Sequence, residues 1–321
     1  MSTTETSPGT ASASPGPDVP EQAATPPVVR GEPAEVADGV FVIPDGRVPL
    51  VPNIGFVIGD HAVLVIDTGA GPRNGGYVLE HAKRLAGGRL LFLTTTHFHP
   101  EHGFGAQVFK GEATIICNRP QRDELHRKGA AYIEMFKGLG PDIAAEIACV
   151  ELTDPDVTYD GQAEIDLGGH RAVLRSWGPA HTAGDQTILV DGRVLFGGDL
   201  FETRMFPIVP YFPPADTDVD ASRWITVLDQ LTALDPAVVV PGYGEVTDVS
   251  VIRDVRDYLD YIRSEASRLR ASGASADDAA AAIDQAGRAR WDTWANPEWI
   301  GYAARAFYQA SPPAPPHTAG P

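Results

Sequence analysis

Apolar residues come in short runs through the first half of the chain, each closed by glycine, aspartate or proline. Gly39–Ile43, Ile54–Ile58 and Ala62–Ile66 are such runs, and Gly59-Asp60 marks a hairpin turn between the last two. Beyond Asp67-Thr68-Gly69 the period lengthens. Val78, Leu79, Ala82 and Leu85 then share one face of a helix expected from about Asn74 to Leu85. Leu90 to Leu93 reads as a buried strand, Thr114 to Ile116 as a short one, and Arg119 to Phe136 as a mostly polar helix. Val157 to Leu167 and Ala172 to Trp177 read as strands paired across Gly168-Gly169, and Gln186–Val190 with Arg193–Phe196 as a hairpin turned by Asp191-Gly192. A helix from about Ala221 to Leu234 leads to a strand at Ala237 to Val240. Helices from about Ser250 to Ser272, Ser275 to Ala286 and Pro297 to Gln309 follow, Ser275 suiting an N-cap and Pro297 a first helical position. Strand–helix–strand order predicts layered sheets with helices outside rather than a barrel.

The two ends are different material. Residues 1–33 are rich in Ser, Thr, Pro, Ala, Gly and Glu without helical or strand period, and 311–321 are Pro-rich. Such segments bury too little apolar surface to offset their ordering entropy, so both are expected to be disordered. Between them, 34–247 reads as the main domain and 248–310 as a helical extension packed on it. The start has neither a basic stretch nor an apolar segment of the secretory kind, and no run is long enough to span a membrane. Cys117 and Cys149 form no CxxC motif, and two reduced, buried thiols in a cytoplasmic protein are expected. The 321 residues are 43% hydrophobic and 21% charged, and 25 basic against 43 acidic residues give a net charge of −18. That balance argues against nucleic acid or an anionic membrane as partner. A small anionic substrate remains compatible, because a bound cation dominates its local field.

The strand at Leu90–Leu93 runs directly into Thr94-Thr95-Thr96-His97-Phe98-His99-Pro100-Glu101-His102. Its last six residues hold three of the chain's nine histidines and a carboxylate. Neutral imidazole with carboxylate is the ligand chemistry of zinc and its first-row neighbours, so the run is read as a metal site. His181, Asp199 and Tyr243 also stand just past the ends of apolar strands, the arrangement by which a sheet gathers one site from distant sequence.

Asp67-Thr68-Gly69, His97-x-His99-x-Glu101-His102, His181, Asp199 and Pro241-Gly242-Tyr243-Gly244 occur in the order of the metallo-β-lactamase-fold hydrolases, which the chain resembles over roughly residues 36 to 247. The resemblance implies a four-layered αββα sandwich of the α/β (α+β) class, here with extra C-terminal helices, and metals at one edge of the two sheets. It implies that His97, His99 and His181 bind a first metal, that Glu101 and His102 belong to a second, and that Asp199 bridges them. Asp67 would orient ligands from behind, unless it merely caps a turn.

Two positions depart from that pattern, which has Asp where this chain has Glu101 and His where it has Tyr243. The first site is therefore expected to hold zinc while the second is left open. Glu101 either ligates or serves as general base. Tyr243 is a neutral donor to an oxyanion or leaving group, a phenolate ligand to ferric iron, or a wall residue. The implied activity is hydrolysis of an ester, thioester or lactone of a small-molecule substrate, with Asp199, Tyr243 and Glu101 as catalytic candidates. The alternatives are a non-haem iron oxygenase using His97, His181 and Asp199, and a metal-binding relative without turnover. Leu200 to Pro207, continuing through Tyr211-Phe212-Pro213-Pro214, reads as a pocket wall or a packed connection, with Arg204 more simply a surface residue. The aromatic cluster Trp291, Trp294, Trp299, Tyr302, Phe307 and Tyr308 reads as core or as the interface of a homodimer.

Overall fold

The computed structural model describes residues 26–213 and 216–310. The tail 311–321, the first 25 residues and Pro214 lie outside the described residues. Seven strands form the first sheet in sequence order: β1 (Ala34–Ala37), β2 (Val40–Ile43), β3 (Ile54–Ile58), β4 (Ala62–Ile66), β5 (Leu90–Thr94), β6 (Thr114–Asn118) and β7 (Val157–Tyr159). β1 to β4 pair antiparallel. From β4 to β7 the pairing is parallel, because helical segments carry the chain back each time. These are α1 (Gly71–Ala86), then α2 (Pro100–Gly103), then α3 (Arg119–Lys137) with α4 (Pro141–Ile147).

The second sheet holds β8 (Gln162–Asp166), β9 (Arg171–Ser176), β10 (Gln186–Val190), β11 (Val194–Gly198) and β12 (Val238–Pro241), in the order β12-β11-β10-β9-β8. Only β11 and β12 are parallel, joined through α5 (Ala221–Thr232). Helices α6 (Ser250–Ala271), α7 (Ala276–Arg290) and α8 (Trp299–Ala310) close the chain.

Strand alternation explains the layers. In β4, Leu64 and Ile66 pack between the sheets with Leu174, Ile188 and Phe196. Val63 and Val65 face the other way, onto Val78 and Ala82 of α1. Both faces of β4 are buried, which is why its sequence is continuously apolar. On the far side of the second sheet, Leu195 and Val239 pack with Leu228 of α5 and Val255 and Leu259 of α6. The result is an α/β sandwich of four layers, αββα. Ile283, Ile300 and Phe307 join the same cluster, so α7 and α8 extend this core.

Three expectations need correction. Val157–Leu167 is not one strand: Gly161, with φ +71°, breaks it, so that β7 pairs with β6 in the first sheet and β8 with β9 in the second. Pro297 does not begin α8; it lies in a turn behind Asn296, whose φ is +60°, and the helix starts at Trp299. Residues 26–33, expected to be disordered, are instead held against the fold. Asn74 accepts from Val29 N at 2.8 Å and donates to Pro27 O at 2.8 Å, and Val29 is buried against α1.

Candidate metal centre

β4, β5, β9, β11 and β12 all run out at one edge of the two sheets, and each is followed by a site residue. After β5 the chain turns through Thr95–His99 into α2. Pro100 keeps His99 extended (φ −58°, ψ 149°) and starts the helical turn on which Glu101 and His102 ride. His97 Nε2 and His181 Nε2 then approach His99 Nδ1 at 3.0 and 3.2 Å. Asp199 Oδ2 lies 3.9 Å from His97 Nε2 and 3.8 Å from His181 Nε2. The donors of a tetrahedral site with bonds near 2.0–2.1 Å stand about 3.3 Å apart. His97, His99, His181 and Asp199 therefore match one ion, with donor atoms all within 4.8 Å of one another.

Glu101, His102 and Asp199 form a second group of the same compactness, and Asp199 belongs to both. His102 Nε2 and Asp199 Oδ1 lie 3.2 Å apart, yet neither has a hydrogen-bond partner, and Glu101 Oε2 also has none. Buried polar atoms left in this way are rare, and atoms that converge on a cation are a reason for it. Glycine is required close by: a Cβ on Gly242 would stand 2.1 Å from Asp199 Oδ1.

The ligands are oriented from behind. Asp67, at φ +66°, accepts from Thr96 N at 2.7 Å, from the Thr96 hydroxyl, and from His102 Nδ1 at 2.9 Å. That leaves His102 Nε2 toward Asp199. His181 Nδ1 donates to Ile208 O at 3.1 Å, leaving its Nε2 toward His99, and its ring meets the edge of Trp224. The Tyr132 ring stacks on His99 at 5.1 Å, and its hydroxyl donates to Asp216. Such supports fix tautomer and ring angle.

Burial sets the charge states. It pushes His97 and His99 well below the ordinary imidazole value, helped by the neighbouring imidazoles, and lowers His181 to about 4. Neutral imidazole is the form that ligates. His102 goes the other way despite burial, raised by Asp199 and Asp67. Burial pushes Glu101 up to about 7. It also holds the Tyr243 phenol protonated, with the surrounding carboxyls adding to the effect. The Tyr243 ring meets the edge of His102 at 5.8 Å.

The structure thus brings together His97, His99, Glu101, His102, His181 and Asp199, with Asp67 and Tyr243 beside them. Arg204 stands apart, exposed and paired with Glu245 at 3.2 Å. The loop after Asp199 serves as a packed connection along part of its length, since Phe206 packs on Tyr258 and Trp294. Trp291, Trp294 and Trp299 pack partly buried against the α5–α8 cluster. Two features escaped sequence reading. Glu202 is buried in the same region, raised by burial and by Asp199; its only signal was an acid set among Leu200, Phe201, Met205 and Phe206. The other is Lys128, buried in α3 and paired with Glu124, Asp216 and Asp218 at 3.0, 2.7 and 2.9 Å. A lysine on a mostly polar helix carries no sequence mark of burial.

The sequence profile of the metallo-β-lactamase superfamily matches residues 47–243, more than half of the chain. The chain belongs to the metallo-β-lactamase superfamily. A linear primary-alkylsulfatase from Pseudomonas sp. is 23% identical over 251 residues, covering 67% of this chain and 47% of that protein. Among solved structures, a stereoselective inverting sec-alkylsulfatase from Pseudomonas sp. superposes with a TM-score of 0.65 at 15% identity, covering 87% of this chain and 50% of its own. A metallo-β-lactamase from Pontibacter korlensis superposes with a TM-score of 0.56 at 17% identity, covering 71% of this chain and 98% of its own. This superfamily member spans about half the length of the two alkylsulfatases. No helix among the described residues is long and apolar enough to cross a membrane.

Proposed function

We propose that the chain is a metal-dependent hydrolase acting on an ester bond of a small molecule. The observation that carries this reading is the convergence of His97, His99, His181 and Asp199 on one point, with a second donor group sharing Asp199. A zinc-like cation held there would bring the pKa of a coordinated water toward about 7 and polarise the bond under attack. Asp199 would accept a hydrogen bond from the attacking water and orient it. The Tyr243 phenol, kept protonated by burial, would donate to charge developing on an oxygen of the substrate. Glu101 would ligate or take up a proton, its raised value suiting either state near neutral pH.

Two classes of ester fit. An acyl ester, thioester or lactone suits a hydroxyl donor facing an oxyanion. A sulfate ester is the second class, its support being the alkylsulfatases among the relatives, one of them 23% identical over 67% of this chain. Metal analysis of purified protein, followed by assays on primary and secondary alkyl sulfates, acyl esters, thioesters and lactones, tests the proposal. Turnover of one class, abolished in His97→Ala and Asp199→Ala, is the expected result. Iron with oxygen uptake would instead favour an oxygenase using His97, His181 and Asp199. Absence of turnover in metal-loaded protein would overturn the hydrolase reading.

A further inference from the structure

Four imidazoles converge at this edge, and three of them are steered by a hydrogen bond on the nitrogen that faces away from the centre. His97 Nδ1 donates to the Thr96 hydroxyl oxygen at 3.2 Å, His102 Nδ1 to Asp67 at 2.9 Å and His181 Nδ1 to Ile208 O at 3.1 Å. His99 is turned the other way round. Its Nδ1 is the atom that meets His97 Nε2 and His181 Nε2, and its Nε2 is buried with no hydrogen-bond partner among the described residues. The outer torsion of a histidine is broad, so without such a bond the ring angle of His99 has to come from packing.

Tyr132 of α3 covers the face of that ring. The two stack with centroids 5.1 Å apart and planes 24° apart, whereas Phe98, His97 and His181 meet His99 edge-on, at 61°, 77° and 82°. Tyr132 is itself anchored. Its hydroxyl donates to Asp216 Oδ2, and Lys128 Nζ donates to Asp216 Oδ1 at 2.7 Å. The Asp216 backbone in turn exchanges two hydrogen bonds with Phe212, at 2.8 and 3.0 Å. Tyr132, Asp216 and Lys128 are all buried. Lys128 and Tyr132 stand four residues apart on α3, so both reach Asp216 from one face of the helix.

We propose that Tyr132 is a positioning residue for the first cation site: its ring sets the angle of the His99 imidazole, and Asp216, held by Lys128, sets the angle of that ring. It does for His99 what a hydrogen bond does for His97, His102 and His181. A ligand holds a cation well only while its lone pair stays aimed, so freeing one imidazole of the three weakens the whole site. The second donor group does not include His99 and should be spared. This role rests on the metal-site reading above, but its readout is bound metal rather than turnover.

The full chain, stripped with chelator, would be titrated with Zn2+ by calorimetry and with Co2+, whose visible absorption reports the arrangement of its donors. Tyr132→Phe keeps the ring and removes its anchor, while Tyr132→Leu removes the stack. The first equivalent should bind about tenfold more weakly in Tyr132→Phe and up to about 100-fold more weakly in Tyr132→Leu, the usual range for such outer supports. Its Co2+ absorption should shift in both, and any second equivalent should keep its affinity. Wild-type affinity and absorption in Tyr132→Leu would overturn the assignment, and the same in Tyr132→Phe would remove Asp216 from it. So would metal-free melts that fall while the Co2+ absorption stays as in wild type, the mark of a merely structural tyrosine. If Tyr132→Leu fails to fold, Tyr132→Phe decides. Unchanged variants of a metal-binding wild type would sink this role alone; a wild type that binds no metal would sink the hydrolase reading with it.

Discussion

Asp67 is buried behind the donor residues, and the second donor group depends on it. Its carboxylate holds Thr96 N–H and the His102 Nδ1 proton together, so one residue sets both the turn after β5 and the direction of His102 Nε2. Replacing it by Asn keeps the shape but offers only one acceptor oxygen and no charge. Asp67→Asn should weaken the second equivalent of metal about 10–100-fold, while the first is little changed. Calorimetric titration of the variant checks this, and equal weakening of both equivalents would count against the division into two groups. Tyr243→Phe separates the roles of that residue in the same way. It should leave both metal equivalents in place and lower turnover by about 10²–10³ if the phenol donates in the transition state. An unchanged kcat would make Tyr243 a wall residue. At this scale the sequence showed what chemistry could show. His97, His99, Glu101 and His102 stand together in the chain, and His181 and Asp199 follow strand ends. Glu202 had no spacing or partner in the sequence to mark it as buried.

Helix α3 shows what an element contributes beyond its own stability. Lys128 gathers Asp216 and Asp218 from the loop that returns over the site, and Glu124 accepts from Gly184 N at 2.8 Å in the loop carrying His181. Lys128 also lies over the ring of Phe98, between His97 and His99. One helix thus ties three ligand-bearing or site-covering loops through a single buried ammonium. Removing it leaves buried carboxylates without compensation, which costs about 3–5 kcal/mol. Lys128→Ala should lower stability by that order in denaturant melts of the metal-free chain; a change within about 0.5 kcal/mol, as at ordinary surface sites, would show the network to be peripheral. Elements of strong period, such as β3 to β5, α5 and α6, were legible because their apolar faces repeat. Short α4 was not, and neither was the switch from β7 to β8. The second turns on a left-handed glycine whose pairing partners lie far away in sequence. The cysteines show the same limit: both were expected to be buried, but Cys149 is exposed and only Cys117 is buried.

The molecule gathers many of its buried titratable groups at one edge, and this makes its stability depend on pH and metal together. Glu101, pushed up to about 7, holds its proton more tightly folded than unfolded. Its contribution is fully present below its ordinary 4.5 and is lost as the pH rises through 7, about 3 kcal/mol at most. Asp185, raised to about 8 by burial, and Glu202 act with the same sign, and so does His102, raised by its carboxylate partners. His97, His99 and His181 act oppositely. Held neutral, they contribute stability above their ordinary 6.5 that is lost as the pH falls below it. Between about pH 4.5 and 6.5 the two sets offset each other. Above 6.5 the imidazoles have nothing left to add, while the carboxyls continue to ionise in a buried, negatively charged cluster. The metal-free chain should therefore hold a level Tm up to about pH 6.5 and lose stability from there to pH 8. A bound cation removes the cause, because it ligates ionised carboxylates. It also adds about 4 kcal/mol when free metal exceeds Kd a thousandfold. Thermal melts of chelator-treated and Zn2+-loaded protein from pH 5 to 8 should diverge above pH 6.5, with the loaded curve flat or rising. Parallel curves, or a metal-free chain more stable at pH 8 than at 6.5, would mean that the buried carboxyls are compensated within the protein itself.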